Sequence, residues 1–258
     1  LNSHHDTVKP NQAYTNDPFK AIVKDGKLFG LGSNDAGGCL VSLLATFTYF
    51  YDNENLPYNI VMVTSAEEES SGKNGLNSVL KHLPKLDCAI VGEPTLMQLA
   101  VAEKGLLVLD VKVKGTPSHA AHQNDDSAIY KTISVIEWFK NFTYDKTSEQ
   151  LGPVKMTVTQ INAGSQHNVV PSECNLVVDI RVNDCYTNEE ILKIVKENIV
   201  AEITPRSMHL NASSIPVSHA LVQAGIALGR TTYGSPTLSD QSVLSCKSLK
   251  LGPGETLR

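Results

Sequence analysis

Short apolar runs, each ending in an acidic or glycine-rich segment, dominate the first part of the chain. Residues 58–64 and 86–91 are runs of this kind and predict buried strands, because they are brief and rich in branched aliphatic side chains. Residues 39–51 are apolar almost all round, which predicts a helix buried against a sheet. Asp25-Gly26 is a dipeptide typical of a hairpin turn. The alternation of strands with helices predicts a largely parallel sheet.

The hydrophobic period changes from about residue 106 onward. Residues 106–114, 154–161 and 172–182 alternate as half-exposed strands, and a last strand is predicted near 201–210. Residues 127–142 and 188–199 are amphipathic helices, the second with Asn188 as its N-cap. The order β-α-β-β-α-β is that of a ferredoxin-like sandwich, in which helices cover one face of an antiparallel sheet.

These patterns predict an α/β protein of two domains. Residues 1–105 and 216–258 are expected to form one domain around the mostly parallel sheet. Residues 106–215 are expected to form a ferredoxin-like domain inserted into it.

Three adjacent carboxylates, Glu67, Glu68 and Glu69, directly follow the predicted strand 58–64. Ligands collect beyond the carboxyl ends of strands in open α/β sheets, and unpaired carboxylates in one place repel each other unless a cation binds them. A second interpretation of this motif is an acidic first helical turn that faces water and complements the helix dipole. The motif alone leaves both interpretations open.

Other candidate ligands occur at the same kind of position. Asp35 lies in a glycine-rich turn before the apolar helix, Glu93 follows residues 86–91, and the strand-like start of the chain carries His4 and Asp6. A histidine with several carboxylates suits zinc, manganese or cobalt. A pair of such ions needs a bridging carboxylate, and a further carboxylate must accept the proton of the attacking water.

Composition narrows the class of function. The 258 residues suffice for one large domain or two smaller ones. A net charge of -5 without a basic patch argues against a nucleic-acid partner. No apolar run approaches about 18 residues, so no membrane span is expected. The five cysteines are widely spaced and form no C-x-x-C pair, which argues against a disulfide framework or thiolate metal site and favours a cytoplasmic setting.

Five ordered motifs resemble a known family. They are His4-His5-Asp6-Thr7-Val8, Gly32-Ser33-Asn34-Asp35-Ala36-Gly37-Gly38, Ala66-Glu67-Glu68-Glu69, Gly92-Glu93-Pro94-Thr95 and Ser118-His119-Ala120-Ala121. The chain resembles, over essentially its whole length, the zinc-dependent metallopeptidase/aminoacylase family that includes glutamate carboxypeptidase, succinyl-diaminopimelate desuccinylase and acetylornithine deacetylase. The segments around Gly105, residues 151–153 and residues 166–171 are most similar to the acetylornithine/succinylornithine deacetylase branch.

The resemblance implies a role for each matching residue. Two divalent ions are expected, zinc first, with cobalt or manganese as alternatives. The implied metal ligands are His4, Asp35 as the bridge, Glu69 and Glu93. Glu68 is implied as general base, with Asp6 orienting His4 and Glu67 in a supporting role. His119 is implied to reach across a dimer interface and stabilise the oxyanion. The implied substrate-binding residues are Asn168, Arg181, Gly252 and Gly254.

The implied reaction is removal of an acetyl or succinyl group from ornithine or a related amino acid, in arginine biosynthesis, by a cytoplasmic enzyme that dimerises through the inserted domain. Three alternatives remain: a metallo-dipeptidase or carboxypeptidase of the same family, a non-catalytic metal-binding homologue, and a ferredoxin-like interaction module on an inert scaffold. The family pattern also has a metal-binding histidine soon after the Gly-Pro-Gly turn at residues 252–254. The resemblance therefore implies that this sequence is a truncated form of a longer protein, with a weakened second metal site and impaired catalysis.

Overall fold

The computed structural model describes residues 1–255, which divide into two compact units. The first unit comprises Leu1–Ala102, Ser213–Ser235 and the residues from Ser239 onward, and the second comprises Glu103–Ala212 and Pro236–Leu238. Among the residues described, no helix has both the length and the apolar character needed to cross a membrane.

The strands of the described residues are short in the first unit, whereas the second unit also contains three long ones. In chain order they are β1 (Asn2–His4), β2 (Ile22–Lys24), β3 (Lys27–Phe29), β4 (Val63–Ser65), β5 (Cys88–Val91), β6 (Leu99–Glu103), β7 (Gly105–Lys114), β8 (Ser118–His119), β9 (Lys155–Ala163), β10 (Val169–Val170), β11 (Glu173–Val182), β12 (Glu202–Pro205), β13 (Ser213–Ser214), β14 (Thr232–Ser235) and β15 (Lys247–Lys250). The α-helices are α1 (Cys39–Phe50), α2 (Leu76–Val79), α3 (Ala128–Asn141), α4 (Asn188–Asn198) and α5 (Ala220–Ala227). Short π or 3-10 segments cover Ser33–Gly38, Leu80–His82 and Asp240–Val243.

The sheet of the first unit is mostly parallel, which confirms the predicted α/β class. Its strand order is β13-β6-β15-β5-β1-β4, with β14 also paired to β6. β1 runs parallel to β4 and β5, β15 runs parallel to β5, and β15 is antiparallel to β6. The carboxyl ends of β1, β4 and β5 therefore lie at one edge. The separate hairpin of β2 and β3 turns at Asp25-Gly26, as predicted.

The prediction that residues 39–51 form a buried helix is wrong about burial. Only Cys39 is buried in α1, whereas Val41 is 66% exposed and Tyr49 is 81% exposed. One side of α1 lies on β1, but no residue in the described range covers its outer side. An apolar pattern on all sides therefore overstates how much of this helix is buried.

The predicted strand 58–64 is also shorter than expected. Regular pairing is confined to β4, where Val63, Thr64 and Ser65 pair with the three residues of β1. Tyr58, at the start of the apolar run, is 78% exposed. The apolar pattern alone therefore overstates the length of this strand.

The second unit is an antiparallel sheet of four strands with two helices packed against it. Its strand order is β12-β7-β11-β9, and its elements follow the sequence β7-α3-β9-β11-α4-β12. Buried and half-buried residues alternate along β11. The buried side packs on α3 and α4 in one core that includes Leu109, Phe139, Val178 and Ile191.

The start of α4 differs by one residue from the prediction. Thr187 is the N-cap: its hydroxyl accepts from the Glu190 N–H at 3.2 Å, and the Glu190 carboxylate accepts from the Thr187 N–H at 2.8 Å. Asn188, the predicted cap, is the first helical residue. Its buried amide donates instead to the carbonyl oxygens of Leu106 and Leu210, at 3.3 and 3.2 Å. Both residue types are good N-caps. Thr187 is the cap here because the Asn188 side chain makes these buried hydrogen bonds instead.

Candidate metal centre

Candidate ligands from four separate segments meet at the carboxyl edge of β1, β4 and β5. His4 is the last residue of β1 and lies in register with Ser65, the last residue of β4. Glu68 follows three residues after Ser65, and Glu93 two residues after the end of β5. Asp35 lies in the Ser33–Gly38 turn that leads into α1. Parallel pairing is what places these strand ends together.

His4 is at the centre of this arrangement and is 1% exposed. Its Nε2 atom lies 3.2 Å from Asp35 Oδ1, 3.7 Å from Glu93 Oε1 and 3.8 Å from Glu68 Oε2. Two sets of donor atoms each lie within 4.8 Å of one another, namely His4 with Glu68 and Glu93, and His4 with Asp35 and Glu69. The structure thus brings together the four predicted ligands and the predicted base.

The donor atoms fit a divalent metal ion. The Nδ1 atom of His4 lies 3.0 Å from the backbone carbonyl of Asp6, which can only accept, so Nδ1 carries a hydrogen. In the neutral ring, Nε2 on the side of the carboxylates then has the lone pair that can bind a metal ion. Within the described residues, the buried Oε1 atom of Glu93 has no hydrogen-bond partner. One imidazole nitrogen and several carboxylate oxygens suit zinc, manganese or cobalt.

The electrostatics of the site indicate an excess of negative charge. Burial, with the nearby charges of Asp240, Glu69 and Asp35, raises the pKa of Glu68 to about 8. Burial and the charges of Glu68 and Asp35 raise the pKa of Glu93 well above its usual range. Burial opposes protonation of His4, but the acceptor Asp35 and the surrounding carboxylates outweigh it and raise the pKa of His4 to about 10. A divalent cation supplies the positive charge that such a cluster lacks.

Asp6 holds both His4 and the acidic loop. Its Oδ1 atom lies 3.4 Å from His4 Nδ1. Its two carboxylate oxygens also accept the backbone N–H groups of Glu68 at 3.3 Å and Glu69 at 3.2 Å. Asp6 was expected to orient His4, and its contact with the loop is an additional role that the sequence did not indicate.

Glu67 turns away from the other two glutamates. Its backbone has a φ of 57°, and its carboxylate accepts from the Asn74 backbone N–H at 3.0 Å and the Asn74 side-chain amide at 2.9 Å. Its carbonyl accepts from the Gly72 N–H at 2.8 Å. Glu67 therefore closes the loop that presents Glu68 and Glu69. The alternative of an acidic first helical turn is wrong, because α2 begins only at Leu76.

Gly252 and Gly254 lie behind the ligands. The Gly252 carbonyl accepts from the N–H groups of Thr95 and Met97, at 3.2 and 2.9 Å. A Cβ atom on Gly252 would lie 2.7 Å from the Glu93 carbonyl oxygen, and one on Gly254, where φ is 90°, would collide with the Asn34 side chain. The absence of side chains here allows this turn to pack against the segments that carry Asp35 and Glu93. The predicted contact of both glycines with substrate stays a prediction.

A buried aspartate close to the site was missed. The Ser65 hydroxyl donates to Asp240 Oδ2 at 2.6 Å and accepts from the Asn2 side-chain amide at 3.1 Å. A single aspartate outside any apolar run has no periodicity or spacing that reveals such a contact.

In the second unit, two of the three predicted substrate-site residues are neighbours. His119 in β8 pairs with Val169 in β10, and the Ala120 N–H donates to the Asn168 carbonyl at 3.0 Å. Arg181 lies near the far end of β11, eight residues from Glu173 and roughly 26 Å along the strand. Its guanidinium binds Asp179 through two hydrogen bonds of 2.8 and 3.1 Å. The structure therefore does not bring Arg181 to His119 and Asn168.

Comparison with known proteins places this geometry in context. The chain is 28% identical over 224 residues to the succinyl-diaminopimelate desuccinylase of Helicobacter pylori (strain HPAG1), covering 83% of this chain and 57% of that protein. It spans about half the length of the curated relatives that it matches. The fold is similar to that of a tripeptidase from Staphylococcus aureus, with a TM-score of 0.72 and 22% identity over 97% of this chain and 71% of that one.

A second solved structure is the Bacillus subtilis YXEP protein, described as a dinuclear metal binding peptidase. It is similar with a TM-score of 0.64 and 14% identity, covering 96% of this chain and 69% of that chain. The family model described as peptidase family M20/M25/M40 matches residues 1–241. Because this match spans nearly the whole sequence, the chain belongs to the peptidase family M20/M25/M40, and the family resemblance inferred from the motifs is confirmed.

Proposed function

We propose that the protein is a metal-dependent hydrolase that cleaves a linear amide bond in a small N-acyl amino acid. The observation that carries the proposal is the convergence of His4, Asp35, Glu68, Glu69 and Glu93 at one sheet edge. A non-catalytic metal-binding protein has no need of a further buried carboxylate beside its ligands, and an inert scaffold has no need of the ligands.

We assign His4 and Glu93 to one cation, Glu69 to a second, and Asp35 to both. Geometry alone groups Glu68 with His4 and Glu93. The division of roles between Glu68 and Glu69 therefore comes from the family pattern and is part of the proposal. When bound, the cations supply a Lewis acid that activates water and polarises the scissile carbonyl. Zinc is proposed first, with cobalt and manganese as alternatives.

Glu68 is proposed as the general base and later the general acid. Its side chain is 13% exposed, and its Oε2 atom lies 3.8 Å from His4 Nε2, which places a carboxylate directly beside the candidate ligands. One of its carboxylate oxygens takes the proton of the attacking water, whose oxygen forms the bond to the carbonyl carbon. When the C–N bond breaks, the same proton passes to the amine nitrogen, which leaves a free amine and a carboxylic acid.

The substrate proposed first is an N-succinyl amino acid, because the relative with 28% identity is named succinyl-diaminopimelate desuccinylase. The expected ornithine substrate and the link to arginine biosynthesis have no support from the curated relatives described here. N-acetylornithine and di- and tripeptides are the comparison substrates. All five cysteines are free, which agrees with the proposed cytoplasmic setting.

The second unit is proposed as a dimerisation domain. β9 forms an outer edge of its sheet, and residues 156–163 carry no charged side chain, although charges commonly protect exposed edges. Ile161 on this strand is 56% exposed, and Ile133 on the adjacent α3 is 52% exposed. A second copy pairing edge to edge would cover both. In this dimer His119 is proposed to donate a hydrogen bond to the oxyanion in the partner's site, with Asn168 as a substrate contact beside it. Arg181 lies too far along β11 to share that place, and its contact with substrate stays a separate proposal.

Ile161→Lys tests the dimer by light scattering after size-exclusion chromatography. The variant is expected to be monomeric, whereas Val23→Lys, at a position 79% exposed on the β2–β3 hairpin, should leave the dimer intact. Mixing His119→Ala with Glu68→Gln subunits should restore part of the activity if the sites are shared. A monomeric wild-type protein would reject this part of the proposal.

Glu68→Gln tests the reaction, with Glu67→Gln as the matched control. Both substitutions remove one charge from the same loop, but the Glu67 carboxylate is directed at Asn74. We expect Glu68→Gln to bind zinc with wild-type stoichiometry and to lose turnover on the substrate panel, and Glu67→Gln to keep turnover. Turnover by Glu68→Gln would reject the base assignment, and a wild-type protein that binds none of zinc, cobalt and manganese would reject the function.

A further inference from the structure

A chain of three buried polar side chains lies directly behind the metal ligands. Asn2, Ser65 and Asp240 are 4%, 4% and 8% exposed. The Asn2 amide donates to the Ser65 hydroxyl at 3.1 Å, and this hydroxyl donates to Asp240 Oδ2 at 2.6 Å. The chain therefore joins β1, β4 and the Asp240–Val243 turn.

Burying a carboxylate costs free energy, which makes it an unfavourable means of holding a turn in place. Desolvation opposes the charged form, and burial raises the pKa of Asp240. An apolar side chain at this position would avoid that cost, so the buried polar contact of Asp240 needs a reason beyond closing the fold. The Asp240 carboxylate accepts a short hydrogen bond from Ser65 and another from Asn2, contacts that a hydrocarbon could not make.

Ser65 is the point from which the acidic loop leaves the sheet. It is the last residue of β4, pairs with His4, and its carbonyl accepts from the His5 N–H at 3.0 Å. Glu68 and Glu69 follow within four residues. Asp6 holds this loop at their N–H groups, so the loop is fixed at two points, by Asp6 at its tip and by Asp240 at its base.

We propose that Asp240 is a positioning residue that, through Ser65, fixes the end of β4 so that Glu68 and Glu69 face His4. This inference rests on the proposed function only in requiring that the site binds a metal ion. It assigns a role to a residue that is not itself a ligand and that lies 175 positions away from Ser65 in the sequence.

Gln241 provides a matched control from the same turn. It is 1% exposed, and its side-chain amide donates to the Ser248 hydroxyl at 3.0 Å and to the Ser213 hydroxyl at 3.2 Å. These contacts connect the turn to β15 and β13 and involve neither β1 nor β4. Gln241→Ala therefore disturbs the fold about as much as Asp240→Ala does, without touching the path to Glu68.

The test measures zinc affinity, by competition with a chelator, for the wild type, Ser65→Ala, Asp240→Ala, the double variant, Asp240→Asn and Gln241→Ala. Residues that orient metal ligands typically contribute about 10–100-fold in affinity, and we expect a loss in that range for both alanine variants. The double variant should lose no more than either single one, because the two side chains act in one path. Asp240→Asn should recover most of the affinity, since its amide oxygen still accepts from Ser65.

Gln241→Ala is expected to lower the melting temperature without changing zinc affinity. Wild-type affinity in Ser65→Ala and Asp240→Ala, additive losses in the double variant, a loss in Asp240→Asn as large as in Asp240→Ala, or an equal loss in Gln241→Ala would each overturn the inference. Should Asp240→Ala fail to fold, Ser65→Ala and Asp240→Asn decide it. A wild type that binds none of zinc, cobalt and manganese is the failure of the proposed function, whereas metal binding that is insensitive to Asp240 is the failure of this inference alone.

Discussion

The ion pairs of the second unit are more exposed than His4 and Glu93 in the first unit. In the second unit, ion pairs such as Lys112–Glu173 and Arg206–Asp110 lie on exposed or half-exposed strand faces. In the first unit, His4 is buried against several carboxylates, and one oxygen of Glu93 has no hydrogen-bond partner among the described residues. Buried excess charge is unfavourable for folding alone, so the comparison teaches that the first unit holds groups selected for another task.

Backbone conformation shows the same contrast. The helix α4 of the second unit begins with a complete capping box, which satisfies its first N–H groups locally. The acidic loop of the first unit carries positive φ angles at Glu67 and Ser71, neither of which is glycine. Such conformations persist where the surroundings hold them, and they occur often at functional sites.

The largest expected effect on stability is in the second unit. Phe139 is 2% exposed in the core between α3 and the sheet, so Phe139→Ala should lower the free energy of unfolding by about 3–5 kcal/mol. The single tryptophan, Trp138, stacks on Phe142 at 4.6 Å between ring centroids, and its fluorescence reports on this unit during denaturant unfolding. Val200→Ala, at a position 92% exposed in the same unit, is the control and should stay within about 0.5 kcal/mol. Equal losses would show that this core is not the source of stability.

The second effect is a change in thermal stability that depends on bound metal. Its sign should be opposite in chelator and in the presence of zinc. Burial and the nearby carboxylates disfavour the charged form of Glu93, so in chelator the neutral Glu93→Gln variant should unfold at a temperature at least as high as the wild type. With free zinc at about one hundred times its dissociation constant, the wild type should gain about 2.7 kcal/mol, and the variant should lose most of that gain.

Calorimetric melts with and without chelator measure both signs, and Glu67→Gln, whose carboxylate faces Asn74, is the control. A variant that is less stable than the wild type in chelator would mean that Glu93 serves the fold and not a cation.

The contrast between the two units also explains how much of the structure could be predicted from the sequence. Glu68 and Glu93 could be found because strand ends are visible as the ends of apolar runs, and parallel strands share an edge. His4 ends a strand that is not apolar, so its assignment depended on the strand-like start of the chain and on the family motif. The contact of Ser65 with Asp240 spans 175 positions, and no local pattern encodes it. The burial of α1 was overestimated for a related reason: periodicity reports which side chains are apolar, whereas burial depends on which segments cover them.

A smaller effect tests the local rules of the second unit. Thr187→Ala removes the hydroxyl that accepts from the Glu190 N–H and should lower the free energy of unfolding by about 1 kcal/mol. Thr187→Ser keeps that acceptor and should be close to the wild type. The midpoint of denaturant unfolding, followed by Trp138 fluorescence, is expected to shift without a change in slope. A loss as large as that of Phe139→Ala would show that α4 depends on its cap more than on its packing.

The smallest expected effect is at the surface of the same unit. Arg206 donates to both carboxylate oxygens of Asp110 at 3.0 and 2.8 Å, but the two side chains are 53% and 49% exposed, so solvent and salt screen the pair. The hydrogen bond from Arg206 lowers the pKa of Asp110. Its contribution to stability is therefore present above the ordinary pKa of an aspartate and is lost as the pH falls through the lower value of the folded protein.

The difference in stability between the wild type and Arg206→Ala should thus be smaller than the effect of Thr187→Ala at neutral pH and low salt, and should vanish in strong salt or acid. Asp110→Asn should reproduce it, and the double variant should add nothing further. A difference that persists in acid would mean that Arg206 contributes through packing of its aliphatic chain. The exposed charged residues of this unit would then resemble the buried ones of the candidate metal centre, because neither group would stabilise the fold through ion pairs.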